Sequence, residues 1–288
     1  MSKFKNLILI FCLIVFVSCS NSSKVHNSEN YPRVDGSTAN MPMMASIRAK
    51  FLNEPKEEAE NNTFVTTTDY AWRNLVEGNA DLLLVYEPSE ETKKIIEKSG
   101  VKLKITPIGL DALVFITNED NSVENLTTEQ IRDIYTNKIT NWKDVGGDDK
   151  KIEAYQRVLN SGSQTLFLNL VMDGIKPVDL PTSYQVEGMD GLIEKIAEYN
   201  ESANAIGYSV FYYAKKMYQV PGLKLLSVDG VMPTDDTIAK REYPYLNEYY
   251  LVIREDTEEN SETMELYNFI LSKAGKKVIK EAGYVPVE

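Results

Sequence analysis

One unit recurs along this chain and limits the folds open to it: a strand-like stretch, a small hydroxyl-bearing loop, then a helical apolar pattern. Arg33-Val34-Asp35 reads as the close of a short strand and Gly36-Ser37-Thr38-Ala39-Asn40 as the loop. Pro42 suits a first helical turn, and Met44, Ile47 and Phe51 give that helix an apolar face. Phe64–Thr66 reads as a β-branched strand. Thr67-Thr68-Asp69 then opens a helix with Ala71, Leu75 and Val76 inward, stopped by Gly78. Ile152–Tyr155 reads as a third strand, followed by Arg157, the turn Ser161-Gly162-Ser163, and Leu166, Phe167, Leu170 and Val171 at helical spacing. A helix start leaves backbone N–H groups unpaired and carries partial positive charge. Hydroxyls, a glycine that lets a ligand come close, and a planar guanidinium fork together make an anion seat. Each unit alone is also what an ordinary capped helix looks like.

The intervening segments fit the same alternation. Leu82–Val85 is a continuous apolar run, the pattern of a buried parallel strand, and it ends in Tyr86-Glu87-Pro88. Ser89 caps a helix carrying Ile95 and Ile96 and ended by Gly100, whereas Glu54–Asn62 is acidic and reads as solvated. Val101–Ile105 alternates with period two, and Leu113–Thr117 is a further strand. Thr127 and Gln130 have capping-box spacing ahead of Ile131, Ile134 and Tyr135. Met189–Tyr199 and Val210–Met217 read as helices, Ala205–Tyr208 and Tyr249–Ile253 as strands. Two closing helices carry Tyr267, Ile270, Leu271, Val278 and Ile279. Strands alternating with helices predict an α/β fold, in which ligands bind beyond the carboxyl ends of strands; all three hydroxyl loops fall there.

Composition removes several kinds of chemistry. The chain has 288 residues and a net charge of −12, so nothing points to nucleic acid, and an anion would have to be held by local donors against the overall field. The two cysteines, Cys12 and Cys19, lie at the start, and the one histidine is His26. The folded part therefore has no disulfide and no thiolate nucleophile, and histidine-based triads and most zinc sites drop out of consideration. No cofactor and no metal are expected, and the chain does not read as an enzyme. Asp/Glu–metal chemistry stays formally open, because 43 acids guarantee chance clusters. The tyrosine clusters Tyr212-Tyr213 and Tyr243–Tyr250 read as core and contact residues before they read as a binding surface.

The N-terminus reads as an export signal over residues 1–18. Lys3 and Lys5 precede the apolar run Leu7–Val17, which is too short for a bilayer span of about 20 residues. Phe16-Val17-Ser18-Cys19 resembles the bacterial lipobox, which implies lipidation (palmitate) at Cys19 and an anchored, extracytoplasmic protein. Ser20–Asn30 is polar, and residues 19–30 read as a lipidated cysteine with a flexible tether.

Several segments together resemble the phosphate-binding proteins of bacterial ABC importers, in the type II periplasmic binding protein group. They are Asp35-Gly-Ser-Thr38, Glu77-Gly-Asn-Ala-Asp81, Asn125 to Tyr135, Lys138-Ile-Thr-Asn-Trp142, Arg157 with Ser161-Gly-Ser163, Ala205-Ile-Gly-Tyr208 and Gly283-Tyr-Val-Pro286. The resemblance implies a two-lobed α/β fold with the ligand cleft between the lobes. Residues 31–112 with 246–288 would form lobe 1, residues 113–245 lobe 2, and the strands near Leu113 and Tyr249 the hinge. It implies first-lobe donors Ser37, Thr38, the Ala39 amide and Thr68, and second-lobe donors Arg157, Ser161, Gly162 and Ser163.

Two positions depart from the family pattern. Tyr86 stands where high-affinity phosphate binders place an aspartate that accepts the phosphate proton; the adjacent Glu87 could replace it only if the strand had already ended or bulged. Leu159 stands where an acid often braces the arginine. The resemblance implies a monomeric, lipid-anchored binder of phosphate that hands its ligand to membrane permease subunits. The alternatives are another oxyanion (sulfate or a phosphate ester) and a surface or signalling protein that kept the fold and lost transport.

Overall fold

The computed structural model describes residues 26–159, 161–179, 184–186, 188–197 and 204–287. The expected signal sequence, Cys19 and the start of the tether lie outside them. In chain order the strands are β1 (Val34–Gly36), β2 (Leu82–Val85), β3 (Leu103–Asn118), β4 (Asn125–Leu126), β5 (Glu153–Ala154), β6 (Gln156–Arg157), β7 (Gln185–Val186), β8 (Ala205–Val210), β9 (Leu223–Leu225), β10 (Ser227–Val228), β11 (Leu246–Arg254) and β12 (Val285–Pro286). The α-helices are α1 (Met41–Leu52), α2 (Lys56–Asn61), α3 (Thr68–Val76), α4 (Glu90–Ser99), α5 (Thr128–Tyr135), α6 (Gly162–Leu166), α7 (Met189–Ala197), α8 (Asp235–Ala239), α9 (Glu262–Leu271) and α10 (Lys273–Glu281). The fold is mixed α/β, as the alternation predicts.

The main sheet has eight strands, ordered β1-β2-β11-β3-β8-β5, with β9 and β12 also paired to β3. β1 and β2 are parallel, β5 and β8 are parallel, and β11 runs antiparallel to both β2 and β3. β2 is apolar throughout because both its faces are covered. Leu82 and Leu84 join a core with Met43, Met44 and Ile47 of α1, while Leu83 and Val85 pack with Trp72 and Leu75 of α3.

β3 joins what the sequence presents as two strands. It runs unbroken from Leu103 to Asn118, pairing first with β11 and then with β8 and β9. Pro107 and Gly109 look like breakers, but the register with β11 shifts between Tyr249 and Tyr250, and at this bulge the ladder does without Ile108.

Four local expectations are corrected. Phe64–Thr66 is not a strand: Phe64 is 75% exposed, and the Thr66 N–H and hydroxyl are taken by the Asp35 carboxylate, not by a neighbouring strand. The acidic stretch after Glu54 is solvated as expected apart from Ala59, which α2 buries against α1. Ile152–Tyr155 is not one strand; β5 joins β8, and the chain then turns so that β6, which contains Arg157, pairs with β7. Phe167–Met172 and Tyr213–Met217 are helical, but wound as π-turns. The end of the expected tether is docked: the His26 ring stacks on Phe51 with centroids 4.0 Å apart, and its Nδ1 lies 2.8 Å from a Glu262 carboxylate oxygen. Among the described residues no helix is long and apolar enough to cross a membrane.

Candidate functional site

The first wall of the site is made by strand ends. β1 stops at Gly36, so Ser37 emerges where the parallel strand β2 gives way to Tyr86. The Ser37 hydroxyl lies 2.8 Å from that of Thr68, which opens α3, and accepts the Tyr86 N–H at 3.1 Å. One buried hydroxyl thus ties three loops together. Asp35 fixes the same region from behind. It accepts from the Thr66 N–H (2.8 Å), the Thr66 hydroxyl (2.7 Å) and the Asn74 amide (2.8 Å). Trp72 donates its indole N–H to the Tyr86 carbonyl at 2.9 Å, and Tyr284 donates to the Ala39 carbonyl at 2.6 Å.

The second wall is built around Arg157, which is buried. Its Nε donates to the Val186 carbonyl of β7 at 2.9 Å, and its Nη1 lies 3.5 Å from the Ser163 hydroxyl. Its backbone N–H donates to Gln164 (3.0 Å) and to the Tyr208 hydroxyl (3.1 Å). A main-chain oxygen thus braces the arginine, and Leu159, which could not, is 72% exposed. Burial pulls the guanidinium pKa down from its usual value, the expected direction for a cation taken out of water. Ser161 caps α6 by accepting from Gln164 N–H at 3.3 Å and sits 3.0 Å from the Ser163 hydroxyl.

The walls meet. A side chain at Gly162 would collide with the Thr68 hydroxyl across the gap, so only a residue without Cβ fits there. Between the walls lies a cavity of about 240 Å³. It is smaller than the roughly 300–1,000 Å³ typical of sites for drug-sized ligands, so it suits a small ion. Two roomier hollows of about 480 and 520 Å³ lie elsewhere on the surface and lack the convergent donors.

Nine of the ten residues singled out from sequence line this one cavity: Ser37, Thr38, Ala39, Thr68, Tyr86, Arg157, Ser161, Gly162 and Ser163. Glu87 does not. Its carboxylate pairs with Lys93 at 2.7 Å and borders the hollow containing Trp72 and Ile96. β2 has already ended at Val85, so strand alternation does not decide the matter; the ion pair with Lys93 of α4 holds Glu87 outside the cavity. The Tyr86 hydroxyl is committed as well: it donates to the buried Asp111 carboxylate at 2.7 Å. Burial pushes the Asp111 carboxyl up to about 6 and the Tyr86 phenol well above its usual value.

Sequence reasoning missed Asp111, although a lone acid inside the apolar stretch Ile108–Phe115 is itself a signal. It also missed Asp190 and Tyr213, which line the cavity, and the only hint for Asp190 is its place in Gly188-Met-Asp-Gly191 at a helix start. The remaining tyrosines of both clusters are largely core residues, among them Tyr243, Tyr245 and Tyr249.

An α/β sheet whose strand ends and helix starts converge on one buried guanidinium is the plan of a small-anion receptor. The chain belongs to the PBP superfamily, whose domain model matches residues 26–274. It is similar to the phosphate-binding protein PstS of Borreliella burgdorferi, with 28% identity over 99% of both chains. The PstS of Bacillus subtilis is 26% identical over 98% of this chain and 92% of its own. Among solved structures, a Clostridium perfringens protein described as a phosphate ABC transporter substrate-binding protein, with phosphate bound, superposes with a TM-score of 0.71. It is 26% identical over 90% of this chain and all of its own. An ABC-type phosphate transport receptor from Vibrio cholerae superposes with a TM-score of 0.65 at 25% identity, over 88% of this chain and 98% of its own.

Proposed function

We propose that this chain is an extracytoplasmic solute-binding protein that captures inorganic phosphate for an ABC importer. The observation that carries the reading is the convergence of Arg157 with the Ser37, Thr38, Thr68, Ser161 and Ser163 hydroxyls around one small cavity. Charge-assisted hydrogen bonds in a desolvated gap are strong enough for an acidic protein to hold an anion locally. The relatives that match over nearly the full chain, named as phosphate-binding proteins, support the same ligand.

In this reading residues 31–112 with 246–288 form one lobe and 113–245 the other, and β3 and β11 carry the hinge. The lobes close over the ion and a membrane permease recognises the closed form. Cys19 carries the lipid, and the protein acts as a monomer. Titration calorimetry of the purified domain with phosphate tests the core of this reading. Saturable binding that is lost in Arg157→Ala supports it, and no heat of binding with phosphate refutes it. A second reading, in which the ligand is another oxyanion such as sulfate or a phosphate ester, is favoured by one observation: the Tyr86 hydroxyl is spent on Asp111. The same titration with sulfate and a phosphate monoester separates the two.

A further inference from the structure

Among the described residues that line the cavity, Asp190 is the one carboxylate. In a seat for an anion this needs a reason. An ionised carboxylate offers only lone pairs. Against a fully deprotonated oxyanion it repels; against an oxyanion that still carries a hydroxyl it accepts a hydrogen bond. Phosphate keeps at least one hydrogen at neutral pH, and sulfate keeps none.

The carboxylates near the cavity but outside its lining are used elsewhere: Asp35 on Thr66 and Asn74, and Asp69 on Ser89. Glu87 is paired with Lys93. Asp111 accepts the Tyr86 hydroxyl and the N–H groups of Ala112 and Tyr212 at 2.7, 2.8 and 3.1 Å. Asp190 is placed differently. It stands in the first turn of α7, where its Oδ1 accepts the Gly191 N–H at 2.9 Å, and Oδ2 takes no hydrogen bond among the described residues. The neighbouring Gly188 makes room for it, since a Cβ there would collide with Oδ1. Its field reaches into the cleft: burial first, and then the negative charge of Asp190, push the Tyr213 phenol up to about 12. Arg157, Tyr213 and Asp190 line the same cavity, so cation, phenol and carboxylate share it.

We propose that Asp190 is the selectivity residue of the cleft, accepting the hydrogen of a protonated oxyanion and turning away oxyanions that carry none. The inference rests on the phosphate reading and deepens it: the acceptor is supplied from the wall opposite Tyr86.

The test is calorimetry with inorganic phosphate and with sulfate on the wild type, Asp190→Asn and Asp190→Ser at neutral pH. Both substitutions remove the charge and keep an oxygen for the Gly191 N–H, so both are expected to fold. The wild type should prefer phosphate strongly. In both variants sulfate binding should rise by about 10- to 100-fold and phosphate binding should fall by about 10-fold, the scale of one hydrogen bond to a charged group. Asp190→Glu should keep part of the preference. A carboxylate that only complements the helix dipole would leave the phosphate-to-sulfate ratio unchanged, and that result overturns the proposal. A wild type that binds both anions equally also overturns it while leaving phosphate capture standing. A wild type that binds neither sinks both readings.

Discussion

The hydroxyl of Tyr86 donates to the carboxylate of Asp111 across 2.7 Å, and both side chains are buried. This pair sits under the cleft and joins β2 to β3. Burial outweighs the hydrogen bonds to Asp111 and pushes its carboxyl up to about 6, against an ordinary value of 3.8. A carboxyl raised in the folded state binds protons that the unfolded chain releases. Its contribution to stability is therefore full below about pH 4 and is lost as pH rises through about 6. Removing the titration by Asp111→Asn should remove this dependence. Denaturant midpoints of the wild type and the variant, compared at pH 4.5 and pH 7, should show a wild-type advantage at the lower pH that shrinks by an amount on the order of 2 kcal/mol at the higher one. A difference independent of pH contradicts the raised value.

Gly162 lies against the Thr68 hydroxyl, and a methyl group there has no room while the walls are together. Gly162→Ala should leave the fold intact, because each wall is complete without the other. It should also hold the walls apart. Phosphate affinity should drop by at least 10-fold, and small-angle scattering in saturating phosphate should show no compaction. An alanine variant that binds as the wild type does would mean that the walls need not meet.

Arg157 is the buried cation of the cavity. Arg157→Ala should abolish measurable phosphate binding, a loss of at least 100-fold, since hydrogen bonds to charged groups are worth about 1.5–3 kcal/mol each. Arg157→Lys should retain a weak remnant, because a point charge replaces the fork that reaches both the Val186 carbonyl and the Ser163 hydroxyl. Calorimetry of the two variants, read against their unfolding midpoints, separates binding from folding.

Ser37 serves two partners at once. Ser37→Ala should cost about 1–3 kcal/mol of stability, because the buried Tyr86 N–H and Thr68 hydroxyl lose their shared partner. It should also weaken phosphate binding. If the variant unfolds with the wild-type midpoint, the link between the three loops is not structural.

The anion seat was legible because its parts are local: Ser37, Thr68 and Ser161 each follow a strand end or open a helix, and helix starts have short-range signals. The α/β class was legible for the same reason. What escaped depended on contacts distant in the chain. Pro107 and Gly109 hid the continuity of β3, since the bulge at Ile108 that tolerates them shows only against the register of the distant strand β11. Phe64–Thr66 has strand composition, yet its donors go to Asp35, a residue that pattern reading cannot bring near it. Glu87 was a candidate by adjacency to Tyr86, and its pairing with Lys93, on the far side of a turn, decided otherwise. Asp190 comes from a helix start with no strand–hydroxyl loop before it, so nothing in the recurring unit flagged it.

Arg157 is steadied by the carbonyl of Val186, an atom that every amino acid possesses. A brace made from an acidic side chain can be erased by a single codon change; this one cannot. Val186 itself is held in place by its burial in the core, and β7 stays paired with β6, so the carbonyl keeps its position under the guanidinium. Changes to the pairing of β6 with β7 reach the guanidinium through this carbonyl, whatever side chain position 186 carries.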